Sequence, residues 1–153
     1  MNITPHFVVS DAVEAAAWYE RAFDAHELSR VPLPDGKVMA VVMQIGESTI
    51  HLGSEFPQAD ILSPLSIGGT ATVLQINTGD ADALWQQALA EGATVRHPLA
   101  DQFWGERHGQ LTDPFGHRWN IAQSIREISD EEIAAAAAEA FAGGPVEQGL
   151  AHL

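Results

Sequence analysis

The chain has 153 residues, 46% of them apolar, with 21 acidic against 7 basic residues and no cysteine. A net charge of −14 without a basic patch argues against nucleic-acid backbone binding, no apolar run reaches the roughly eighteen residues of a membrane span, and disulfides and thiolate metal sites cannot form. Met1 to His6 show no basic stretch followed by an apolar core, so no signal peptide and a cytoplasmic location are expected.

Ile3–Val9 reads as a strand and Asp11–Phe23 as a helix. Asp11 can cap that helix with Glu14 three residues on, and Ala12, Ala16, Tyr19 and Phe23 share one face. Strands follow over His26–Val31, Lys37–Ile45 and Ser48–Gly53, with Pro34-Asp35-Gly36 turning between the first two. A linker spans about residues 55–70, where Gly68-Gly69 suits a hinge. The order then repeats: a strand over Ala71–Thr78, a helix over Asp80–Glu91 stopped by Gly92, and strands over Thr94–Pro98, Glu106–Thr112 and His117–Gln123. The last two strands meet at Asp113-Pro114-Phe115-Gly116, a turn in which Pro114 fixes φ and Gly116 can take positive φ.

The two helix starts, Asp11 and Asp80, stand 69 positions apart, and that offset aligns two copies of a βαβββ module, at about residues 2–54 and 71–125. The fold class expected is α+β: two such modules forming an eight-stranded, cleft-shaped mixed sheet with helices outside, over residues 1–125. Residues 126–153 are expected to add a C-terminal helix and tail. Ser129-Asp130-Glu131-Glu132 is a capping box for a helix through the alanine run to Ala142, and Gly143-Gly144-Pro145 ends it. The final residues are expected to be loose or docked on a partner subunit.

Strand side chains alternate. Phe7 and Val9, Ile50 and Leu52, Leu74 and Ile76, and Trp119 and Ile121 suit the face packed on the helices. His6, His51, Gln75 and Asn120 then occupy the opposite face. His6 and Gln75 are equivalent under the 69-residue offset, and so are His51 and Asn120. Four polar residues at two equivalent pairs of positions are read as the lining of one ligand cleft, although each alone also suits a hydrogen-bonded strand residue. Phe56, Phe103 and Trp104 lie in loops, where such rings either stack on a ligand at the cleft mouth or pack in an interface. His108 is a candidate proton carrier; His117, in step with Trp119, is read as structural.

The βαβββ repeat, the Val9-Ser10-Asp11…Trp18-Tyr19…Phe23-Asp24-Ala25 opening and the Asp113-Pro-Phe-Gly turn resemble the vicinal-oxygen-chelate superfamily of glyoxalases, bleomycin-resistance proteins and dioxygenases. The segments Pro34-Asp-Gly-Lys-Val38, Glu55-Phe-Pro57 and Asp101-Gln-Phe-Trp-Gly105 resemble its PhnB-like branch. The resemblance implies metal-ligand positions at Thr4, His51, Val73 and Asn120, of which only His51 is a good ligand for a transition metal. No catalytic metal is therefore expected; a divalent zinc, nickel, manganese or iron ion, if held, would use a shifted set of His6, His51 and Gln75. No cysteine or serine nucleophile constellation stands out, and no phosphate-binding loop.

Two functions stay open. One is metal-independent binding of a small, cationic or aromatic molecule by His6, His51, Gln75, Asn120, Phe103, Trp104 and His108. The other is a metal-dependent glyoxalase-type lyase or isomerase, or a dioxygenase-like enzyme. The acidity reads either as plain solubility or as a preference for a cationic ligand. A homodimer is expected in both cases, because each module has a sheet edge that needs cover.

Overall fold

The computed structural model describes residues 1–146 and 150. Each module is one four-stranded sheet crossed by one long helix. The first holds β1 (His6–Val9), α1 (Ala12–Phe23), β2 (His26–Pro32), β3 (Val38–Ile45) and β4 (Ser48–Ser54), in the sheet order β1-β4-β3-β2. A linker follows with a 3₁₀ turn at Pro57–Ala59 and a single helical turn, α2 (Pro64–Ile67). The second module holds β5 (Val73–Asn77), α3 (Ala81–Ala90), β6 (Thr94–Asp101), β7 (Glu106–Thr112) and β8 (Arg118–Ser124), in the order β5-β8-β7-β6. The α+β class, the two βαβββ modules and the C-terminal helix, α4 (Asp130–Ala140), stand as read from the sequence. The eight strands form two four-stranded mixed sheets.

Matching local chemistry starts α1 and α3. Asp11 accepts from the Val13 and Glu14 amides at 2.8 and 3.0 Å, and Asp80 from the Ala83 amide at 3.0 Å. The next orphan donor is tied to the end of the module's own last strand: Ala12 N–H donates to Ser54 Oγ, and Ala81 N–H to Gln123 Oε1, each at 3.0 Å. Ser129 and Glu132 make the capping box read from the sequence. The first strand begins at His6 rather than Ile3, leaving Met1 and Ile3 exposed, and β6 runs past Pro98 to Asp101 through irregular register. The tail positions 147–149 and 151–153 lie outside the described residues.

The modules meet through their helices and through one aromatic cluster. Trp18 Nε1–H donates to the Glu91 carbonyl at 2.7 Å, Arg21 pairs with the Glu91 carboxylate, and Gln87 Nε2–H donates to the Arg21 carbonyl at 2.8 Å. Tyr19 and Phe23 from α1 and Phe7 from β1 pack on Trp119 of the second module, and Tyr19 also on Phe115. Asp113 lies buried within this cluster. Its carboxylate accepts from Tyr19 Oη–H (2.5 Å), Trp119 Nε1–H (2.9 Å) and the Phe115 and His117 amides (2.9 Å each). Burial, and then Asp113, push the Tyr19 phenol well above its ordinary value. Among the described residues no helix is long and apolar enough to cross a membrane.

Candidate functional site

Register places the candidate residues as alternation requires. In β1 and β4, paired in parallel, His6 sits beside His51, with Val42 of β3 beyond it. The two imidazoles lie 4.3 Å apart between centroids, His6 exposed and His51 half-buried. In β5 and β8 Gln75 sits beside Asn120, with Gln110 of β7 beyond. Here the amides link up: Gln110 Nε2–H donates to Asn120 Oδ1 (2.9 Å), Asn120 Nδ2–H reaches Gln75 Oε1 at a long 3.5 Å, and Gln75 Nε2–H donates to Asn77 Oδ1 (2.9 Å). Alternation along β5 also puts Asn77 on the face of Gln75, whereas Gln110 escaped the sequence reading. The alternation rule could have found it, because it follows from the register that places Asn120.

Glu106 and His108 share the Gln110 side of β7. Trp104, at the β6–β7 turn, donates Nε1–H to Glu106 Oε2 (2.8 Å) and sets its ring edge-on to His108, 5.5 Å between centroids. Phe103 stands edge-on to Trp104 and, on its far side, contacts Phe141 beyond α4. Burial holds the His108 imidazole below the usual histidine range, so it is neutral at pH 7, and its shielded Nδ1 has no partner among the described residues. A neutral imidazole with a free ring nitrogen can accept a hydrogen bond from a ligand. His117 is structural: its Nε2–H donates to the Val8 carbonyl (2.9 Å) and its ring stacks on Phe7.

The His6–His51 pair and the Gln75–Asn120 pair lie on different sheets. The larger cavity, about 1110 Å³ between the modules, takes Gln75 into its lining but not His6, His51 or Asn120. A hollow of about 650 Å³ lies beside Trp104, between the β6–β7 turn and the start of α4.

Residues 4–121 match the model of the Glyoxalase/Bleomycin resistance protein/Dioxygenase superfamily. The chain belongs to this superfamily. An uncharacterized protein of Mycobacterium tuberculosis is 44% identical over 137 residues, 88% of this chain and 81% of that one. Among solved structures, TioX from a Micromonospora species is similar with a TM-score of 0.66 at 21% identity, covering 82% of this chain and 99% of that one. A bleomycin-binding protein complexed with bleomycin is similar with a TM-score of 0.58 at 22% identity, covering 80% and 98%. At those identities the solved structures speak for the fold alone.

Metal chemistry occurs in this superfamily, and the donors of this member do not suit it. His51 has one imidazole neighbour, His6, and apolar Val42 beside it. Gln75 is on the other sheet and is engaged by Asn77 and Asn120. Among the described residues no three His, Cys, Asp or Glu side chains are grouped to hold an ion, and without a carboxylate nearby the charge of a divalent cation would stand uncompensated.

Proposed function

We propose that this protein binds a small, cationic or aromatic organic molecule without a catalytic metal, in the manner of the bleomycin-binding members of its superfamily and within its PhnB-like branch. The observation that carries the reading is the second module's outer face. There a row of amides (Gln110, Asn120, Gln75) lies beside a corner of Trp104, His108 and the Glu106 carboxylate. Amides orient a polar scaffold, Trp104 offers a flat apolar surface, and Glu106 favours a cation there. The chain's charge of −14 acts in the same direction over longer range. The histidine pair lies on the other sheet. In the proposed homodimer the first-module face of one copy meets the second-module face of its partner, giving a composite site.

Calorimetric titration with bleomycin and with smaller aromatic cations tests this, alongside metal analysis of protein purified without chelators. Saturable binding is expected, weakened at least about tenfold by Trp104→Ala through loss of a stacking surface. A stoichiometric transition metal, or affinity unchanged in Trp104→Ala, would refute the reading.

A further inference from the structure

The two modules are equivalent under the 69-residue offset, yet they meet each other unequally. In one half of the contact, the β7–β8 turn of the second module drives Phe115, His117 and Trp119 against Phe7 and Tyr19 of the first. In the reciprocal half, the β3–β4 turn of the first module faces β5 and α3 of the second. The positions equivalent to those rings carry none, although Phe23, His26 and Trp119 reach the rim of this half from the ring-bearing side. Ser48 stands at the position of His117, Ile50 at that of Trp119, Ile76 at that of Phe7 and Ala88 at that of Tyr19. The turn itself is shorter. Asp113 and His117 are bridged by three residues, Phe115 among them, whereas Ile45 and Ser48 enclose only Gly46 and Glu47.

The cavity of about 1110 Å³ occupies this reciprocal position, with Ser48, Ile50 and Ile76 in its lining. The effect on packing is direct. Phe7 is 6% exposed and Ala15 is fully buried, but their equivalents Ile76 and Leu84, and Leu74 beside them, are only partly buried because they face the cavity. An apolar wall of this kind loses contact energy unless something packs on it. Asp24 and Glu47 also line the cavity, with no lysine or arginine among its lining residues. One Asp24 oxygen accepts from Gln87.

We propose that this inter-module cavity is a second small-molecule site, sharing only Gln75 with the outer-face set, and that it takes a planar aromatic cation. The ring system lies on Leu74, Ile76 and Leu84, where the other half of the molecule puts its own aromatic side chains. The positive group sits by Asp24 and Glu47.

The test uses proflavine as the planar cation and 9-anthracenecarboxylate as a planar anion. Titrations are run on full-length protein carrying Trp104→Ala, so that stacking on the outer face does not contribute. Proflavine is expected to bind this variant with one equivalent per chain and at least tenfold more tightly than the anion. Adding Ser48→Phe, which returns a ring to the exposed strand position lining the cavity, is expected to weaken proflavine at least tenfold. Adding Glu47→Gln is expected to weaken it about threefold or more. Thermal melts confirm folding, and Leu84→Phe replaces Ser48→Phe if the latter does not fold. Loss of proflavine binding in Trp104→Ala alone, or binding that survives the ring-adding variant, would overturn the proposal. So would a self-associated protein that binds neither probe, which would assign the cavity to contact with a second copy. Each result is independent of whether Trp104→Ala impairs bleomycin binding, which tests the outer-face site.

Discussion

Asp113 ties the Asp-Pro-Phe-Gly turn of the second module to α1 of the first, so its removal should weaken the whole molecule. Four donors converge on a carboxylate that is 4% exposed. In Asp113→Ala all four lose their acceptor. A buried unsatisfied donor costs about 1–3 kcal/mol, and relaxation with water entry keeps the sum below four full penalties, at about 4 kcal/mol by comparison with other broken buried charge interactions. For a domain of this size that corresponds to a fall of about 8–16 °C in melting temperature. Tyr19→Phe removes one donor and leaves Asp113 with three, so about 1–2 kcal/mol is expected. The phenol adds a pH signature. Its ionisation lies at 10.0 in an unperturbed chain and well above that in the fold. Above pH 10 the unfolded state loses the proton first, so stability is full below that pH and declines as pH climbs towards the folded value. Tyr19→Phe should flatten that decline. Urea denaturation followed by circular dichroism, from pH 7 to 11, measures both effects. A loss below about 1 kcal/mol in Asp113→Ala would show that these hydrogen bonds do not carry the inter-module contact.

The burial that lowers the His108 pKa favours neutral imidazole in the fold, so below the ordinary value of 6.5 the unfolded chain takes up the proton first and stability falls with pH. His108→Phe should lessen the slope of the melting temperature between pH 7 and 5, and an unchanged slope would place the origin elsewhere. Gly109 is held by space: a Cβ there would lie 2.7 Å from Trp85 Cζ3 and 2.8 Å from Leu99 Cα. Gly109→Ala should therefore destabilise by about 1–3 kcal/mol, read as a drop in denaturation midpoint. At Gly105, φ is +88° and a Cβ would meet the Arg126 carbonyl oxygen at 2.8 Å. Gly105→Ala should loosen the turn carrying Phe103 and Trp104, seen as faster amide exchange over residues 103–106.

The elements that were legible in the sequence are those with a local cause. Asp11, Asp80 and the Ser129/Glu132 box announce their helices because a cap is a contact across three residues. Strand alternation gave the facing of His6, His51, Gln75 and Asn120, since a period of two carries over to any register in which the apolar set is buried. What was hidden depends on contacts distant in the chain. The acceptor role of Asp113 for Tyr19 spans 94 positions, and no local pattern marks it. The cavity between the modules arises from a difference between two halves that share one pattern. It becomes visible only when Ser48 and Ile50 are set against His117 and Trp119 at equivalent positions.

The composite outer-face site makes a prediction about mixing. If His6 and His51 of one copy face Trp104 and Asn120 of the other, a homodimer holds two equivalent sites, each drawing on both chains. His51→Ala damages both sites of its own dimer, and so does Trp104→Ala. Unfolding the two variants together and refolding them at random should give about half heterodimers. In a heterodimer one site receives both substitutions and the other receives neither. About one site in four of the mixed population should then regain wild-type affinity, although neither parent has any such site. If the site instead lies within one chain, each copy carries its own defect and mixing restores nothing. Titration of the refolded mixture with bleomycin separates the outcomes by the number of tight sites. Light scattering on the same sample shows whether dimers formed, and a monomer at micromolar concentration would remove the basis for a shared site.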